Sequence, residues 1–271
     1  MIMNPDKTYL KKELHDFWNK QTCGTATIDK EKFTYEYFED IEEHRYDLQP
    51  EIFNFAQFTR FHGKKLLEVG VGAGTDFLQW IRGGAECYGI DLTPEAIAHV
   101  QQRLDLYGLK CNDLLVADAE DLPFVDNYFD IVYSFGVIHH SPNTIKALEE
   151  IIRVLKPGGK AKIMIYNRHS MLAFFFWIKH ALLKLRPWKS IAWVLWNHME
   201  SLGTKGYTIK EFQNILSKYP ELKEYKVETI YTYYDKLGRF PKIMQMFAKF
   251  ITIFTGKEKI GWFLTIQFTK K

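Results

Sequence analysis

Three glycines form the feature of this chain that most clearly points to chemistry. Gly70, Gly72 and Gly74 alternate with Val71 and Ala73 directly after a short apolar run. Glycine allows a sharp backbone turn and a close approach of the backbone to a ligand. The following helix would offer free amides to a polar group. The segment therefore predicts a ligand-binding loop, although a tight strand-to-helix turn without a ligand has the same pattern.

Two carboxylates close the next two strand-like runs. Asp91 ends the second run and Asp118 follows the third. A carboxylate in the first position can accept hydrogen bonds from both hydroxyls of a ribose. One in the second position can accept from the amine of adenine, with Leu92 and Ala119 on either side of the ring. Each acid alone could be a helix cap or a solvated loop residue, but three successive strand ends together predict a nucleoside site.

The glycine spacing separates two kinds of cofactor. A dinucleotide fingerprint requires GxGxxG, and Thr75 occupies the place of its last glycine. The observed GxGxG therefore disfavours an NAD(P)-dependent oxidoreductase, which is the alternative enzyme class. A binding module that keeps the fold without chemistry is a third hypothesis.

Strand-like and helix-like segments alternate five times from residue 64 onward. The pattern predicts strands at 65–69, 87–91, 114–116, 129–134 and 160–166, with helices between them. Such alternation is typical of a parallel sheet with helices on both faces. A capping box at Thr208 and Glu211 predicts a further helix, followed by strands at 226–234 and 262–268.

Two segments lie outside this alternation. Residues 1–62 precede the first strand and are predicted to be mostly helical, whereas residues 63–271 form the α/β domain. Residues 167–207 interrupt the pattern after the fifth strand. Inserts at this edge lie above the carboxyl ends of the strands, where ligands bind in such sheets. We therefore predict that residues 167–207 form an insertion on the substrate side.

The order of the motifs resembles the class I S-adenosylmethionine-dependent methyltransferases. The matching segments are LLEVGVGAGTD, YGIDLTPEAI, VADAEDLPFVDNYFDIVYS and IIRVLKPGGKAKI, which cover residues 64–166 densely. The likeness is greatest to the small-molecule branch that includes the ubiquinone and menaquinone C-methyltransferases. It implies a Rossmann-like, seven-stranded sheet whose last strand runs antiparallel, with S-adenosyl-L-methionine as cofactor.

The resemblance also implies where the cofactor lies. The glycine loop would surround its methionine part, Asp91 would hold the ribose, and Asp118 would read the adenine. Together with the residues beside them, the predicted cofactor contacts are Glu68, Gly70, Gly72, Gly74, Asp91, Leu92, Asp118, Ala119 and Ser134.

Two histidines follow the fourth predicted strand, in SFGVIHHSP. Methyl transfer chiefly needs an acceptor aligned with the departing sulfur. A base is needed only when the acceptor must lose a proton. Histidine, with an ordinary pKa of about 6.5, suits that role. We predict His140 as the catalytic base and His139 as the second candidate, the alternative being one helix cap and one residue packed on the sheet.

The flanking segments supply the candidates for binding the methyl acceptor. The resemblance implies that residues 1–62 fold over the cofactor as a lid, whose closure would exclude water. Tyr37 and Tyr46 belong to this segment. Tyr166, Asn167 and Arg168 follow the fifth strand. Arg168 would hold an anionic group or form a surface ion pair, and each aromatic could instead pack inside the protein. The expected acceptor is a small hydrophobic or aromatic metabolite, methylated on O, N or C.

Composition and charge limit the kinds of partner and metal site that we expect. A net charge of +3 does not favour nucleic acid. The three cysteines, Cys23, Cys87 and Cys111, are far apart, so we expect no zinc site or other metal site and no disulfide framework. Reduced thiols and the lack of a signal-like apolar run at the N-terminus favour a cytoplasmic protein.

One segment suggests contact with lipid. Residues 171–196 are rich in aromatics but are interrupted by Lys179, Lys184, Arg186 and Lys189. The run is too interrupted to span a bilayer, yet it fits a segment lying at the membrane surface. Residues 240–254 are similar. The alternative is a helical subdomain that buries these aromatics internally or between two copies, and the sequence predicts no particular oligomeric state.

Overall fold

A single mixed sheet forms the centre of the computed structural model, which describes residues 6–20, 22–26, 28–238 and 242–271. Its strands are β1 (Lys65–Val69), β2 (Glu86–Asp91), β3 (Asp113–Val116), β4 (Phe129–Phe135), β5 (Leu155–Asn167), β6 (Gly206–Tyr207), β7 (Leu222–Ile230) and β8 (Phe263–Lys270). The strand order is β3-β2-β1-β4-β5-β8-β7, and the short β6 pairs with β5. Strand β8 runs antiparallel to both β5 and β7. The predicted Rossmann-like sheet with an antiparallel last strand is therefore confirmed, with β6 as an addition.

Helices cover both faces of this sheet. They are α1 (Lys7–Lys20), α2 (Tyr35–Leu48), α3 (Glu51–Ala56), α4 (Thr75–Arg82), α5 (Pro94–Tyr107), α6 (Thr144–Val154), α7 (Met171–His180), α8 (Ile191–His198), α9 (Ile209–Leu216), α10 (Lys242–Thr255) and α11 (Lys257–Ile260). Helices α1 to α3 precede the sheet, and α7, α8 and β6 occupy the insertion between β5 and α9. No helix of the described ranges is long and apolar enough to cross a membrane.

Side chains that alternate along the strands belong to two buried hydrophobic clusters, one on each face of the sheet. On one face Leu66 and Tyr133 pack with Trp80 of α4. On the other face Leu67 and Val132 belong to the cluster that includes α6. Because successive side chains of a strand point to opposite faces, both faces of the central strands are buried. Because strands β1 to β5 are parallel, their carboxyl ends lie at one edge of the sheet.

Local signals fix where the helices begin. Thr93 accepts from the amide of Ala96 at the start of α5, with Pro94 in the first turn, and Gly108 ends that helix with a φ of +64°. The capping box predicted at Thr208 and Glu211 is present at the start of α9.

Strand β7 differs from the predicted strand at 226–234. It begins at Leu222 and leaves the sheet after Ile230. The carboxylate of Asp235 accepts from the backbone amides of Thr232 and Trp262, at 2.8 and 2.9 Å. These bonds hold a short 3₁₀ turn at Tyr234–Lys236 in place of extended chain.

Candidate active site

The glycine loop leaves β1 in a conformation that favours glycine. Gly70, Gly72 and Gly74 have φ angles of +84°, +51° and +73°. A Cβ atom added to Gly70 would lie 2.3 Å from a methyl group of Val137. Both the backbone conformation and the close approach of the β4–α6 connection therefore require glycine at position 70.

Asp91 holds this loop in place. Its Oδ2 accepts from the amide of Gly72 at 3.0 Å, and its Oδ1 accepts from the amide and hydroxyl of Thr93 at 3.1 and 3.0 Å. Burial raises the pKa of the Asp91 carboxyl, while these hydrogen bonds oppose the shift. The end of β2 thus links the glycine loop to the start of α5.

A cavity of about 350 Å³ opens at this edge of the sheet. Its volume lies in the range of small-molecule sites. The predicted residues in its wall are Glu68, Gly70, Gly72, Asp91, Leu92, Asp118, Ala119 and His140. Residues that the sequence places on separate strand ends therefore surround one space.

Two predicted cofactor residues support the cavity from behind instead. Gly74 precedes α4, where an added Cβ would lie 2.8 Å from Val100. Ser134 is completely buried in β4, and its hydroxyl has no hydrogen-bond partner among the described residues. Neither is part of the cavity wall.

Glu68 places an unsatisfied carboxyl oxygen at the wall. Its Oε2 is buried and has no hydrogen-bond partner in the described part of the chain. Burial, reinforced by the nearby Asp76, raises the pKa of Glu68 well above its ordinary value. A buried polar atom without a partner is costly. A cationic or N–H group on a ligand would satisfy it, which fits the amino group of the cofactor that the motifs imply.

The two histidines have different environments. The ring of His140 lines the cavity, and its Nδ1 lies 2.8 Å from Ser201 Oγ and 3.0 Å from Thr204 Oγ1. Burial lowers its pKa to about 3, so the ring is neutral at physiological pH. His139 lies outside the wall with its ring 4.1 Å from that of Tyr166. The structure therefore places His139 in the packing behind the cavity.

The lid tyrosines predicted to bind the acceptor do not line the cavity. Tyr37 is buried, and its hydroxyl lies 3.1 Å from Nε2 of His99. Tyr46 donates to Asp76 Oδ1 at 3.1 Å. Both rings pack α2 against the sheet domain, and their contact with the acceptor stays a prediction.

Tyr166 and Asn167 at the end of β5, and Arg168 after it, do not belong to the cavity wall. Tyr166 stacks on Trp262 at 4.2 Å, and Asn167 donates to the carbonyl of Gly261 at 2.8 Å. Arg168 forms an ion pair with Glu211. These contacts join the insertion, β8 and α9, and acceptor binding by these three residues stays a prediction.

The N-terminal helices supply further wall residues. Arg45 is held by a bidentate ion pair with Asp76, at 2.8 and 2.6 Å. Ile41, Arg45 and Leu48 all line the cavity. Their spacing of i, i+4 and i+7 on α2 was the signal that could have shown a shared face.

Helix α1 lies over the adenine end of the predicted site. Lys11 Nζ lies 2.5 Å from Asp118 Oδ2 and 3.1 Å from Glu120 Oε2. Trp18 contacts His140 edge to face, with 5.6 Å between the ring centroids. Both α1 residues line the cavity, so the helix forms one of its walls.

Comparison with known proteins agrees with this geometry. A family model described as a methyltransferase domain matches residues 67–163, which span β1 to β5. This part of the chain therefore contains a methyltransferase domain. The match agrees with the predicted enzyme class and with its cofactor, S-adenosylmethionine. The narrower likeness to the ubiquinone and menaquinone enzymes stays a prediction.

The names of two curated relatives of this domain give different methyl acceptors. Over 99 residues the chain is 44% identical to a probable phthiotriol/phenolphthiotriol dimycocerosates methyltransferase 2 of Mycobacterium ulcerans, covering 36% of this chain and 37% of that relative. Over 107 residues it is 36% identical to phosphoethanolamine N-methyltransferase 2 of Caenorhabditis elegans, covering 39% of this chain and 24% of that one. The matches thus span well under half of either relative.

Solved structures share the fold over most of this chain. Geranyl diphosphate C-methyltransferase from Streptomyces coelicolor, solved with S-adenosyl-L-homocysteine, matches with a TM-score of 0.63 and 13% identity, covering 97% of this chain and 98% of that one. A Haemonchus contortus phosphoethanolamine N-methyltransferase 2 matches with a TM-score of 0.58 and 17% identity, covering 94% and 59%.

Proposed function

We propose that this chain transfers the methyl group of S-adenosylmethionine to a small hydrophobic or aromatic acceptor. The observation that carries the proposal is the convergence of the glycine loop, Asp91 and Asp118 on one cavity. The methyltransferase domain shared with the relatives supports it further. The acceptors named for those relatives differ, so the acceptor class is inferred from this chain's own cavity.

The wall residues divide the site between the two ligands. Glu68, Gly70 and Gly72 would surround the methionine part of the cofactor, Asp91 the ribose, and Asp118 with Leu92 and Ala119 the adenine. When bound, S-adenosylmethionine would supply a methyl group carried on a positively charged sulfur. On transfer the bond between that sulfur and the methyl carbon breaks, and its electron pair stays on sulfur.

The remaining wall is where the acceptor would lie. Leu14 and Trp18 of α1, Phe135 and Val137 present apolar surface there, beside polar side chains that include His140, Arg45 and Gln49. Apolar walls bind an apolar acceptor and exclude water, while a few polar groups fix its orientation. This arrangement favours an acceptor with a hydrophobic body and a polar reacting atom.

Calorimetry tests the cofactor assignment directly. Titration of the full chain with S-adenosylmethionine or S-adenosylhomocysteine is expected to give saturable heat. Asp91→Asn keeps the size of the side chain but removes its charge, and loss of hydrogen bonds to a charged group costs about 1.5–3 kcal/mol. We therefore expect affinity to fall about 10- to 100-fold. Equal affinity in the variant would contradict the ribose assignment.

A turnover assay with a panel of acceptors separates an enzyme from a binding module. Formation of S-adenosylhomocysteine that depends on an added phenol, alcohol or amine supports methyl transfer. Tight cofactor binding without turnover on any acceptor class would favour the binding-only hypothesis.

We also propose that the acceptor is met at a membrane surface that carries anionic lipids. The turn between α7 and α8 exposes Leu183, Leu185 and Trp188, with Leu185 82% exposed. Exposed large apolar side chains grouped in this way mark interaction sites.

A second apolar surface lies on α10. Met246, Phe250, Ile253 and Phe254 are exposed at a spacing of i, i+4, i+7 and i+8, which places them on one side of the helix. Helices α7 and α10 both contact the 3₁₀ turn at Tyr234–Lys236, and Tyr234 lines the cavity. Both helices therefore lie beside a turn that contributes Tyr234 to the cavity wall.

The charge of these two segments favours an anionic lipid surface as their partner. Residues 169–199 contain four basic and no acidic residues, and 242–257 also lack acidic residues. This combination complements anionic headgroups. The core of α7, including Met171 and Phe175, is buried. The proposed contact is accordingly restricted to the α7–α8 turn and α10, rather than all of 171–196.

Vesicle flotation tests this contact. The full chain is expected to float with vesicles of equimolar phosphatidylcholine and phosphatidylglycerol, and less with phosphatidylcholine alone. The pair Leu185→Glu and Trp188→Glu should abolish flotation, whereas Val125→Glu, at an exposed site on the β3–β4 connection, should not. Failure of the unmodified chain to float would overturn the proposal. So would a dimer that the paired variant dissociates, because the surface would then bind a second copy.

A further inference from the structure

The end of the insertion holds the chain on both sides of His140. The amide of Lys205 donates to the carbonyl of His139 at 3.0 Å, and the ammonium group of Lys205 donates to the carbonyl of Ser141 at 2.7 Å. The same segment brings the hydroxyls of Ser201 and Thr204 to the His140 ring. The position of this ring is therefore set by a segment distant in sequence.

The hydroxyl of Thr204 determines which ring nitrogen carries the proton. That hydroxyl donates its one proton to the carbonyl of Ser201 at 2.7 Å. Its oxygen also lies 3.0 Å from Nδ1 of His140. Having no second proton, it can only accept there, so Nδ1 must donate. The opposite tautomer would place two lone pairs against each other at this distance.

Ser201 is compatible with the same assignment. Its Oγ lies 2.8 Å from Nδ1 and 3.3 Å from Thr204 Oγ1. It can accept from Nδ1 while donating towards Thr204, which leaves every member of the group satisfied. A fully satisfied buried network of this kind fixes one arrangement.

The second ring nitrogen remains available. In the described ranges Nε2 of His140 has no hydrogen-bond partner, and the ring belongs to the cavity wall. With the proton on Nδ1, the neutral ring carries its lone pair on Nε2.

We propose that Ser201 and Thr204 are positioning residues that hold His140 in the Nδ1-protonated tautomer, so that Nε2 accepts a hydrogen bond from a hydroxyl group on the methyl acceptor. The identity of the ligand as a methyl acceptor rests on the proposed function. The tautomer is a property of the free protein and does not.

The proposed role is consistent with proton balance. As the acceptor oxygen gains the methyl group, its hydroxyl proton passes to Nε2, and the imidazolium later releases it to water. The positive charge on sulfur disappears in the same event, so charge moves within the site and the net charge is unchanged. Burial, which lowers the pKa of His140 to about 3, keeps the ring neutral beforehand and favours release of the proton afterwards.

Nitrogen-15 NMR of the full chain labelled at histidine tests the tautomer without any ligand. The His140 signal is identified by its loss in His140→Gln. We expect a protonated Nδ1 and an unprotonated Nε2 in the unmodified chain and in Thr204→Ser, which retains the hydroxyl. Thr204→Val should give a mixture of tautomers, and Ser217→Ala, an exposed hydroxyl elsewhere, should change nothing.

Kinetics give a second measurement. Thr204→Val should lower kcat for a hydroxyl acceptor by about 10-fold or more, with cofactor affinity within twofold and activity restored in Thr204→Ser. An Nε2-protonated ring in the unmodified chain would overturn the inference. A Thr204→Val variant with the original tautomer and turnover would do the same. Failure to bind S-adenosylhomocysteine would instead refute the proposed function and leave the tautomer assignment standing.

Discussion

Lys11 Nζ lies 2.5 Å from Asp118 Oδ2 and thereby joins helix α1 to the end of strand β3. The two side chains are 36% and 28% exposed, so water and salt screen their attraction. Ion pairs of this kind contribute about 0–1 kcal/mol. This ion pair is therefore a contact of α1 that can break and re-form readily, whereas Leu10 and Leu14 of the same helix are buried.

Removal of this ion pair should loosen α1 without unfolding the sheet. In Lys11→Met we expect faster amide hydrogen exchange across residues 7–20, while the melting temperature changes little. The difference from the unmodified chain should shrink at high salt, because salt already weakens the pair. Mass spectrometry of exchanged peptides measures this. Lys12→Met, an exposed neighbour on the same helix, is the control, and equal exchange in both variants would argue against the attachment.

Gly70→Ala should destabilise the protein through two separate effects. The φ of +84° is strained for alanine, and its Cβ would lie 2.3 Å from Val137. Together we expect a loss of about 1–3 kcal/mol in the free energy of unfolding, measured by urea denaturation, with weaker cofactor binding.

Two companion variants separate these effects. Gly63→Ala, with a φ of +66° and open space around an added Cβ, should show the cost of the backbone conformation alone. Adding Val137→Ala to Gly70→Ala should recover the part due to the clash. If Gly63→Ala and Gly70→Ala lose the same stability, the close approach at position 70 has no measurable weight.

The part of the cavity wall that strand ends form was predictable because it follows from local chain geometry. A buried strand that ends in glycine, or in aspartate, fixes where Gly70 and Asp91 must lie once the sheet is parallel. The part that the N-terminal helices form depends on how distant segments pack. Nothing near Arg45 in the sequence shows that it meets Asp76, and the aromatic character of Tyr37 does not distinguish a cavity wall from a buried contact with α5.

Acid should destabilise the protein partly through His99. Burial lowers the pKa of His99 to about 4, below its ordinary 6.5. Between these values the unfolded chain binds a proton that the folded chain does not, so stability falls as pH drops through this window. The contribution is of the order of 3 kcal/mol when complete. It is fully retained above pH 6.5 and lost near pH 4.

Urea unfolding at several pH values tests this assignment. In His99→Gln the free energy of unfolding should fall less between neutral pH and about pH 4, because unfolding of this variant takes up one proton fewer. The exposed His169→Gln is the control and should follow the unmodified chain. Parallel curves for all three proteins would remove His99 from the acid response.

The carboxylate of Asp91 accepts from the amide of Gly72 and from the amide of Thr93, the N-cap residue of α5. Backbone that is already fixed before a ligand arrives loses little conformational entropy when the ligand binds. The ends of β1 and β2 are thus held in place in the free protein. We therefore expect exchange of spent for fresh cofactor to depend chiefly on movement of α1 rather than on rearrangement of the sheet.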